Sequence, residues 1–186
     1  MLPPDAPIAE VYVQPGESHL VPGPAVFRTV LGSCVGITFL VRRLGMGGLC
    51  HPMLPRCPEA HRTIIGVRAG RRYVDFTIRD MGRQLDSLGV KRAEVEVKLF
   101  GGGDVLTVAS GSDRPTVGKL NSEAAFRVLE DEGFNVAACR LGGNTGVHIE
   151  FSTETGEVLV RRLGRIPKVS GSKPRRKVTR CQPPSE

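Results

Sequence analysis

The hydrophobic period of this chain is that of β-strands along most of its length and becomes helical in only two stretches. Short runs rich in β-branched and aromatic residues, such as 25–31 and 34–41, are bounded by glycine or proline and favour strands. Apolar residues at helical spacing occur in 76–88 and again in 122–134. The order of strands, helix, strand, helix and strands predicts an α/β domain whose mixed, mostly antiparallel sheet packs against few helices.

Both predicted helices have signals for their ends. Gly89 follows the first helix as a C-cap, and Gly133 lies past the end of the second. Asn121 is of a residue type that caps helix N-termini, so we expect the second helix to begin there.

The segments between and after the helices read as strands. Residues 93–99 alternate between apolar and charged side chains, which is typical of a strand with one buried face. Three glycines at 101–103 end that strand, and we interpret them and Gly142-Gly143 as turn geometry, since no Lys-Ser/Thr follows to make a phosphate-binding loop. Two further strands are expected to meet across a turn at 153–156.

The chain divides by composition into a body and a basic tail. Its 186 residues suit one domain, which we place at 1–164. The segment 165–186 is rich in proline, serine and basic residues and reads as a flexible tail. That tail carries +6 of the net charge of +7, so the body is nearly neutral, and this distribution argues against a nucleic-acid-binding body.

Neither a membrane span nor a secretory signal is visible in the sequence. No apolar run has the length of a spanning helix, and the N-terminal residues lack a basic segment leading into an apolar one. We therefore expect a cytoplasmic protein. The five cysteines are odd in number and follow no disulfide spacing, so we expect thiols. Cys181, in the tail, reads as incidental.

One cysteine lies in a setting that suits a nucleophile. Cys34 follows Gly32-Ser33, a turn that can expose the sulfur and leave backbone N–H groups without partners. If 34–41 and 47–53 form a hairpin centred between Arg42 and Arg43, then Cys34 lies directly opposite His51. A cysteine in or beside an apolar strand is, however, more commonly a small core residue.

A metal site is an alternative for the same region. Cys50, His51, Cys57 and His61 all carry zinc-ligand types. The two cysteines are seven positions apart and form no tight knuckle, so the spacing disfavours zinc.

Several ordered motifs carry a resemblance to a known family. TVLGSCVGITF is followed by GMGGLCHPMLP, and further on come EVKLFGGGDVL and LGGNTGVHIEF. In this order and spacing they closely resemble the CheD family of chemoreceptor glutamine deamidases. The resemblance covers roughly residues 8–164 and ends at the basic tail.

The resemblance implies an enzyme, a protein-glutamine glutaminase that needs no metal or organic cofactor. Cys34 would be the nucleophile and His51 its general base and acid, acting through a thioester intermediate. Backbone N–H groups at Ser33 and Cys34 are candidate donors to the oxyanion. The same acyl chemistry would permit hydrolysis of methyl esters.

Three positions depart from the pattern expected of that family. The family has a threonine just before the cysteine, and this chain offers Thr29 five residues before Cys34, with Arg28 six before. We assign Thr29 as the residue that orients His51, although it could be only a β-branched strand residue. Cys50 stands before His51 and reads as core. Val147 stands where an arginine is expected, which bears on partner binding.

The resemblance also implies partners. The cytoplasmic domains of chemoreceptors would be substrates, and a CheC-type phosphatase would be a regulatory partner. An alternative function is therefore a regulatory binding module for such a phosphatase, with little catalysis. The tail is suited to anionic surfaces, and a nucleic-acid binder that works through the tail is a third, weaker hypothesis.

Overall fold

The computed structural model describes residues 7–61, 66–105 and 115–164. Within these ranges the chain forms nine strands and three α-helices, with short 3-10 turns between some of them. The strands are β1 (Ala9–Tyr12), β2 (Ser18–Pro22), β3 (Ala25–Leu31), β4 (Val35–Val41), β5 (Met46–Cys50), β6 (Glu96–Gly101), β7 (Val136–Leu141), β8 (Val147–Ser152) and β9 (Val158–Arg162). The helices are α1 (Val67–Gly70), α2 (Val74–Ser87) and α3 (Val117–Asp131).

The strands form two sheets. One has the order β1-β3-β8-β9 and the other β2-β5-β4-β6-β7. Each sheet contains one parallel pair, β1 with β3 and β6 with β7, and its other pairs are antiparallel. The predicted α/β class with mixed, mostly antiparallel pairing is confirmed, and its strands are divided between two sheets.

Two hydrophobic cores give the domain three layers. One core joins the inner faces of the two sheets, and the other joins the five-stranded sheet to α2 and α3. Strand β4 is buried at all seven positions because it contributes alternate residues to both cores. The inter-sheet core consists of Val13, Ala25, Phe27, Leu31, Leu40, Leu49, Phe100, Ile149, Phe151, Val158 and Val160.

The helices match the predicted periods, but one predicted boundary is wrong. Gly89 and Gly133 lie just past α2 and α3 with φ of +67° and +77°, as expected of residues that end helices. Helix α3 begins at Val117, not at Asn121, and its N-cap is Thr116, whose Oγ1 accepts the N–H of Lys119 at 3.2 Å. Asn121 lies inside the helix because a better cap precedes it by five residues.

Strand β2 was not predicted, since its sequence runs directly into two prolines. Among the described strands it pairs with β5 alone, at the edge of the five-stranded sheet, and Pro22 is its last residue. An edge strand tolerates proline because one row of its N–H groups needs no partner. The predicted hairpin across 153–156 is confirmed as the β8–β9 pair.

No helix in the described part of the chain is long and apolar enough to cross a membrane. Residues 165–186, with Cys181, lie outside the described ranges, so the domain boundary after residue 164 stays a prediction.

Candidate active site

Thr29, Cys34 and His51 lie at one end of the space between the two sheets. Thr29 is buried on the inner face of β3, in the four-stranded sheet, between Phe27 and Leu31. Cys34 immediately precedes β4 and packs, half-buried, against the inter-sheet core. His51 immediately follows β5 and is 1 % exposed. Residues in or beside three strands of two sheets therefore converge only when the sheets pack together.

The side chain of His51 is held from the opposite sheet. Thr29 Oγ1 lies 2.8 Å from His51 Nδ1 and donates its own proton to the carbonyl oxygen of Val13 at 2.7 Å. Since that proton is committed to Val13, the threonine oxygen accepts from Nδ1–H. The resulting tautomer leaves Nε2 with a free lone pair, which is the form of histidine that can act as a base.

Burial favours the uncharged forms of both candidate catalytic groups. Burial lowers the pKa of His51, and this outweighs the opposite effects of the Val13 carbonyl and of Glu17. Burial likewise raises the pKa of the Cys34 thiol, although its own backbone amide acts in the other direction. Both shifts favour a thiol and a neutral imidazole as the resting forms of the two side chains.

The predicted register of the β4–β5 hairpin is wrong by two residues. Val41 pairs with Met46 and Ile37 with Cys50, and the hydrogen bond from Val35 N–H to Pro52 O continues this register. Cys34 is therefore diagonal to His51 and not directly opposite it. The cause is the connection, a 3-10 turn at Arg42–Leu44 followed by Gly45 in the left-handed region, which is longer than the predicted one.

A shift of two residues preserves the face on which each side chain lies. Cys34 and His51 therefore both face the space between the sheets, as the predicted hairpin required. Diagonal neighbours in an antiparallel pair have Cα atoms about 7–8 Å apart, with Cβ atoms somewhat closer.

The turn before β4 presents its N–H groups and anchors its carbonyls. The carbonyl oxygens of Gly32 and Cys34 accept from Gly103 N–H and Gly102 N–H, each at 2.8 Å. The carbonyl of Ser33 accepts from the side chain of Asn121 at 2.9 Å. Among the described residues, the N–H groups of Ser33 and Cys34 donate to no other residue. These are the two donors that the sequence suggested for an oxyanion.

The glycines after β6 are required by the same turn. Gly101 has φ of +93° and Gly102 of +61°, both in the region that disfavours other residues. A Cβ at Gly101 would also collide with the carbonyl oxygen of Cys34. The interpretation of this run as turn geometry is therefore supported, and the turn that it builds carries the cysteine.

The other residues singled out in the sequence lie apart from this cluster. Arg28 faces outward from β3 and forms ion pairs with Glu10 and Glu150, each at 3.0 Å. Cys50 is fully buried in the helix-side core, as expected. Val147 is half-buried beside a shallow pocket that Arg140 and Arg162 also line.

The geometry also bears on the zinc alternative. Cys50 and His51 are adjacent on an extended segment and face opposite sides of the sheet, so they do not share one site. In the described ranges no group of three metal-ligating side chains comes together. Among the cysteines in the described ranges, Cys34, Cys50 and Cys57 are free thiols, as expected.

Asn121 is a site residue that the sequence analysis missed. Its side-chain amide donates to both Ser33 O and Met53 O at 2.9 Å, and the residue is fully buried. The available signal was its position: Asn121 precedes Ala125 by four residues and Val128 by seven, so it lies on the apolar stripe of its helix. A buried amide there needs polar partners, and the turn before β4 supplies one of them.

Comparison with known proteins identifies the family. Residues 53–162 match the family model for CheD chemotactic sensory transduction. A probable chemoreceptor glutamine deamidase CheD 2 from Geobacter sulfurreducens is 40 % identical over 85 % of this chain and 92 % of its own length. Its counterpart from Maridesulfovibrio salexigens is 34 % identical, over 84 % of this chain and 93 % of its own length.

Similarity to solved structures adds little. The hypothetical protein YfiH from Bacillus licheniformis aligns over 56 % of this chain and 45 % of its own, with a TM-score of 0.32 and 9 % identity, which is too weak a likeness to assign a fold or a function.

The family match begins two residues after His51, so Thr29, Cys34 and His51 precede it. On the family match and the identity to its relatives over most of their length, the chain belongs to the CheD family.

Proposed function

We propose that this protein deamidates glutamine side chains of chemoreceptors, with Cys34 as nucleophile. The relatives named above are described as probable chemoreceptor glutamine deamidases. The observation that carries the proposal for this chain is the Thr29–His51 hydrogen bond, which directs the free Nε2 lone pair of a buried histidine. Cys34, on the same side of the sheet, is the thiol that this base would serve.

The reaction follows from the neutral resting state of the pair. Nε2 of His51 accepts the thiol proton as the Cys34 sulfur attacks the carboxamide carbon of the substrate. The resulting oxyanion accepts hydrogen bonds from the N–H groups of Ser33 and Cys34. His51 then returns the proton to the departing nitrogen, ammonia leaves, and a thioester remains.

Hydrolysis of the thioester completes the cycle. Nε2 of His51 takes a proton from water, the hydroxide attacks the thioester carbon, and the thiol leaves protonated. Glutamine and water have become glutamate and ammonia, and the enzyme is unchanged. Thr29 keeps the imidazole in the required tautomer through both halves of the reaction. A methyl ester of glutamate would pass through the same thioester, with methanol as the leaving group.

The test is conversion of receptor glutamine to glutamate. The full-length protein would be incubated with the cytoplasmic fragment of a chemoreceptor, and tandem mass spectrometry would locate each converted residue. We expect conversion by the wild type and none by Cys34→Ala or His51→Ala. Cys50→Ala, which removes a thiol from the helix-side core, is the matched control and should retain conversion.

The same experiment addresses the regulatory alternative. A folded wild-type protein that converts no glutamine in several receptors would contradict the deamidase proposal. Retained binding of a CheC-type phosphatase by Cys34→Ala would then favour the regulatory binding module. Conversion that depends on both Cys34 and His51 would exclude a purely regulatory role.

A further inference from the structure

We propose that Asn121 is a positioning residue that aims the backbone N–H of Cys34 at the oxyanion. Asn121 lies in α3 and touches neither Cys34 Sγ nor His51 through any hydrogen bond. It acts through the peptide group that joins Ser33 to Cys34. The inference depends on the proposed function for its catalytic meaning.

The orientation of the Asn121 side-chain amide follows from its two hydrogen-bond partners. Both acceptors are backbone carbonyls, Ser33 O and Met53 O, so the group that faces them must be the NH2 and not the oxygen. Both protons of that NH2 are used, each at 2.9 Å. Asn121 Oδ1 is buried and has no hydrogen-bond partner among the described residues.

An unpartnered buried oxygen is unfavourable. Leucine or alanine at this place on the apolar stripe of α3 would avoid that cost, but it would leave Ser33 O and Met53 O without this donor. What Asn121 supplies is therefore its two N–H donors, which hold those two carbonyls.

The geometry of the Ser33–Cys34 peptide group links the bond at Ser33 O to the direction of Cys34 N–H. In a trans peptide the carbonyl oxygen and the N–H of the next residue point in opposite directions within one plane. A hydrogen bond that holds Ser33 O toward α3 therefore holds Cys34 N–H away from it. Hydrogen bonding at the oxygen also polarises the group and strengthens the N–H as a donor.

The other hydrogen bond of the Asn121 amide, to Met53 O, reaches the segment that follows His51. Met53 lies two residues after His51, and its carbonyl is tied to Asn121 while its N–H donates to Arg72 O at 2.8 Å. One side chain thus joins the segment of the nucleophile to the segment of the base. The N–H groups of Gly102 and Gly103 hold the carbonyls of Cys34 and Gly32, on either side of Ser33. Asn121 holds the carbonyl between them, that of Ser33.

The experiment compares two reactions of Cys34. Acetylation by p-nitrophenyl acetate forms a sulfur–carbon bond, expels nitrophenolate and passes through a tetrahedral oxyanion. Alkylation by iodoacetamide forms a sulfur–carbon bond and expels iodide without an oxyanion. In both reactions the thiol proton is lost, so any effect of the Cys34 N–H on thiol ionisation is common to both. Only acetylation also needs that N–H as a donor to an oxyanion.

Both rates would be measured by mass spectrometry of the Cys34 peptide in wild type, Asn121→Ala and Asn121→Asp. Asn121→Asp keeps the shape and, when ionised, removes both donors. Val128→Ala, on the same face of α3 and 3 % exposed in the wild type, controls for loosened helix packing. Thermal unfolding would establish that each variant is folded.

We expect acetylation to fall by about 10- to 100-fold in both Asn121 variants, less than the ~10²–10³-fold typical of deleting an oxyanion donor outright. Alkylation should change by less than about threefold, and Val128→Ala should leave both rates near wild type. Equal falls in both rates, or no fall in acetylation, would overturn the proposal. If the acetylation result holds while the wild type converts no receptor glutamine, the deamidase proposal has failed and the positioning role has not.

Discussion

His51 Nδ1 and Thr29 Oγ1 are 2.8 Å apart although their strands belong to different sheets, and the threonine proton is already given to Val13 O. This one relationship fixes the tautomer, the ring orientation and the direction of the free Nε2. It also makes the position of the His51 ring depend on how the two sheets pack.

Replacing Thr29 with valine tests that relationship. Thr29→Val keeps the shape but removes both the acceptor for Nδ1–H and the donor to Val13 O. We expect receptor deamidation to fall by about 10- to 100-fold, as part of a general-base contribution is lost. The unpaired groups should lower the free energy of unfolding by about 1–3 kcal/mol.

Thr38→Val is the matched control for this prediction. Thr38 is also a 1 % exposed strand threonine, but its hydroxyl makes only a long contact, 3.5 Å, to Lys98 O. Thr29→Ser should regain most of the activity because it restores the hydroxyl. Wild-type turnover by Thr29→Val would contradict an orienting role.

The raised pKa of the Cys34 thiol predicts the pH dependence of its reactivity. Alkylation of Cys34 by iodoacetamide should rise with a midpoint above the ordinary cysteine value of about 8.5, because burial disfavours the thiolate. The rate would be followed by mass spectrometry across pH, with urea-unfolded protein as the reference. A midpoint below that of the unfolded chain would mean that His51 and Cys34 rest as an ion pair.

The lowered pKa of His51 predicts how stability changes with acid. Below about pH 6.5 the unfolded chain protonates this histidine while the folded chain resists, so the unfolded state binds more protons. The free energy of unfolding should therefore fall as pH drops from about 7 to 5.

His51→Gln isolates this effect, since the other three histidines, His19, His61 and His148, remain in both proteins. Urea unfolding at a series of pH values would show a shallower dependence for the variant. Parallel curves for the two proteins would indicate that His51 has the same pKa in both states.

Comparing Gly101→Ala with Gly89→Ala distinguishes the effect of backbone strain from a direct effect on the turn that carries Cys34. Both have positive φ, +93° and +67°, and this backbone conformation alone should cost alanine about 1–2 kcal/mol of stability at either position. Only at Gly101 would the new Cβ collide with Cys34 O, whereas nothing lies within 4 Å at Gly89. Acetylation of Cys34 should therefore drop in Gly101→Ala and stay near wild type in Gly89→Ala. Equal rates in the two folded variants would argue against a role for this turn in aiming Cys34.

Local sequence predicted much of the secondary structure because strands and helices follow from side-chain period and end signals. Helix α2, the β8–β9 hairpin and the burial of Cys50 all depend on neighbours within a few residues. The errors came where competing local signals existed. Asn121 is of an N-capping type, but Thr116 caps the same helix five residues earlier. The β4–β5 connection includes Gly45, which shifts the pairing register by two residues from the predicted one.

By itself the sequence determined the fold class, the family and the identity of the residues with reactive chemistry, since these depend on residue type and order. The tertiary structure decided how those residues meet. Thr29 faces His51 across two sheets, and Asn121 reaches the peptide group before Cys34 from 88 residues away. No period or spacing encodes such contacts, because they arise only when layers that form separately pack together and every buried polar group must find a partner.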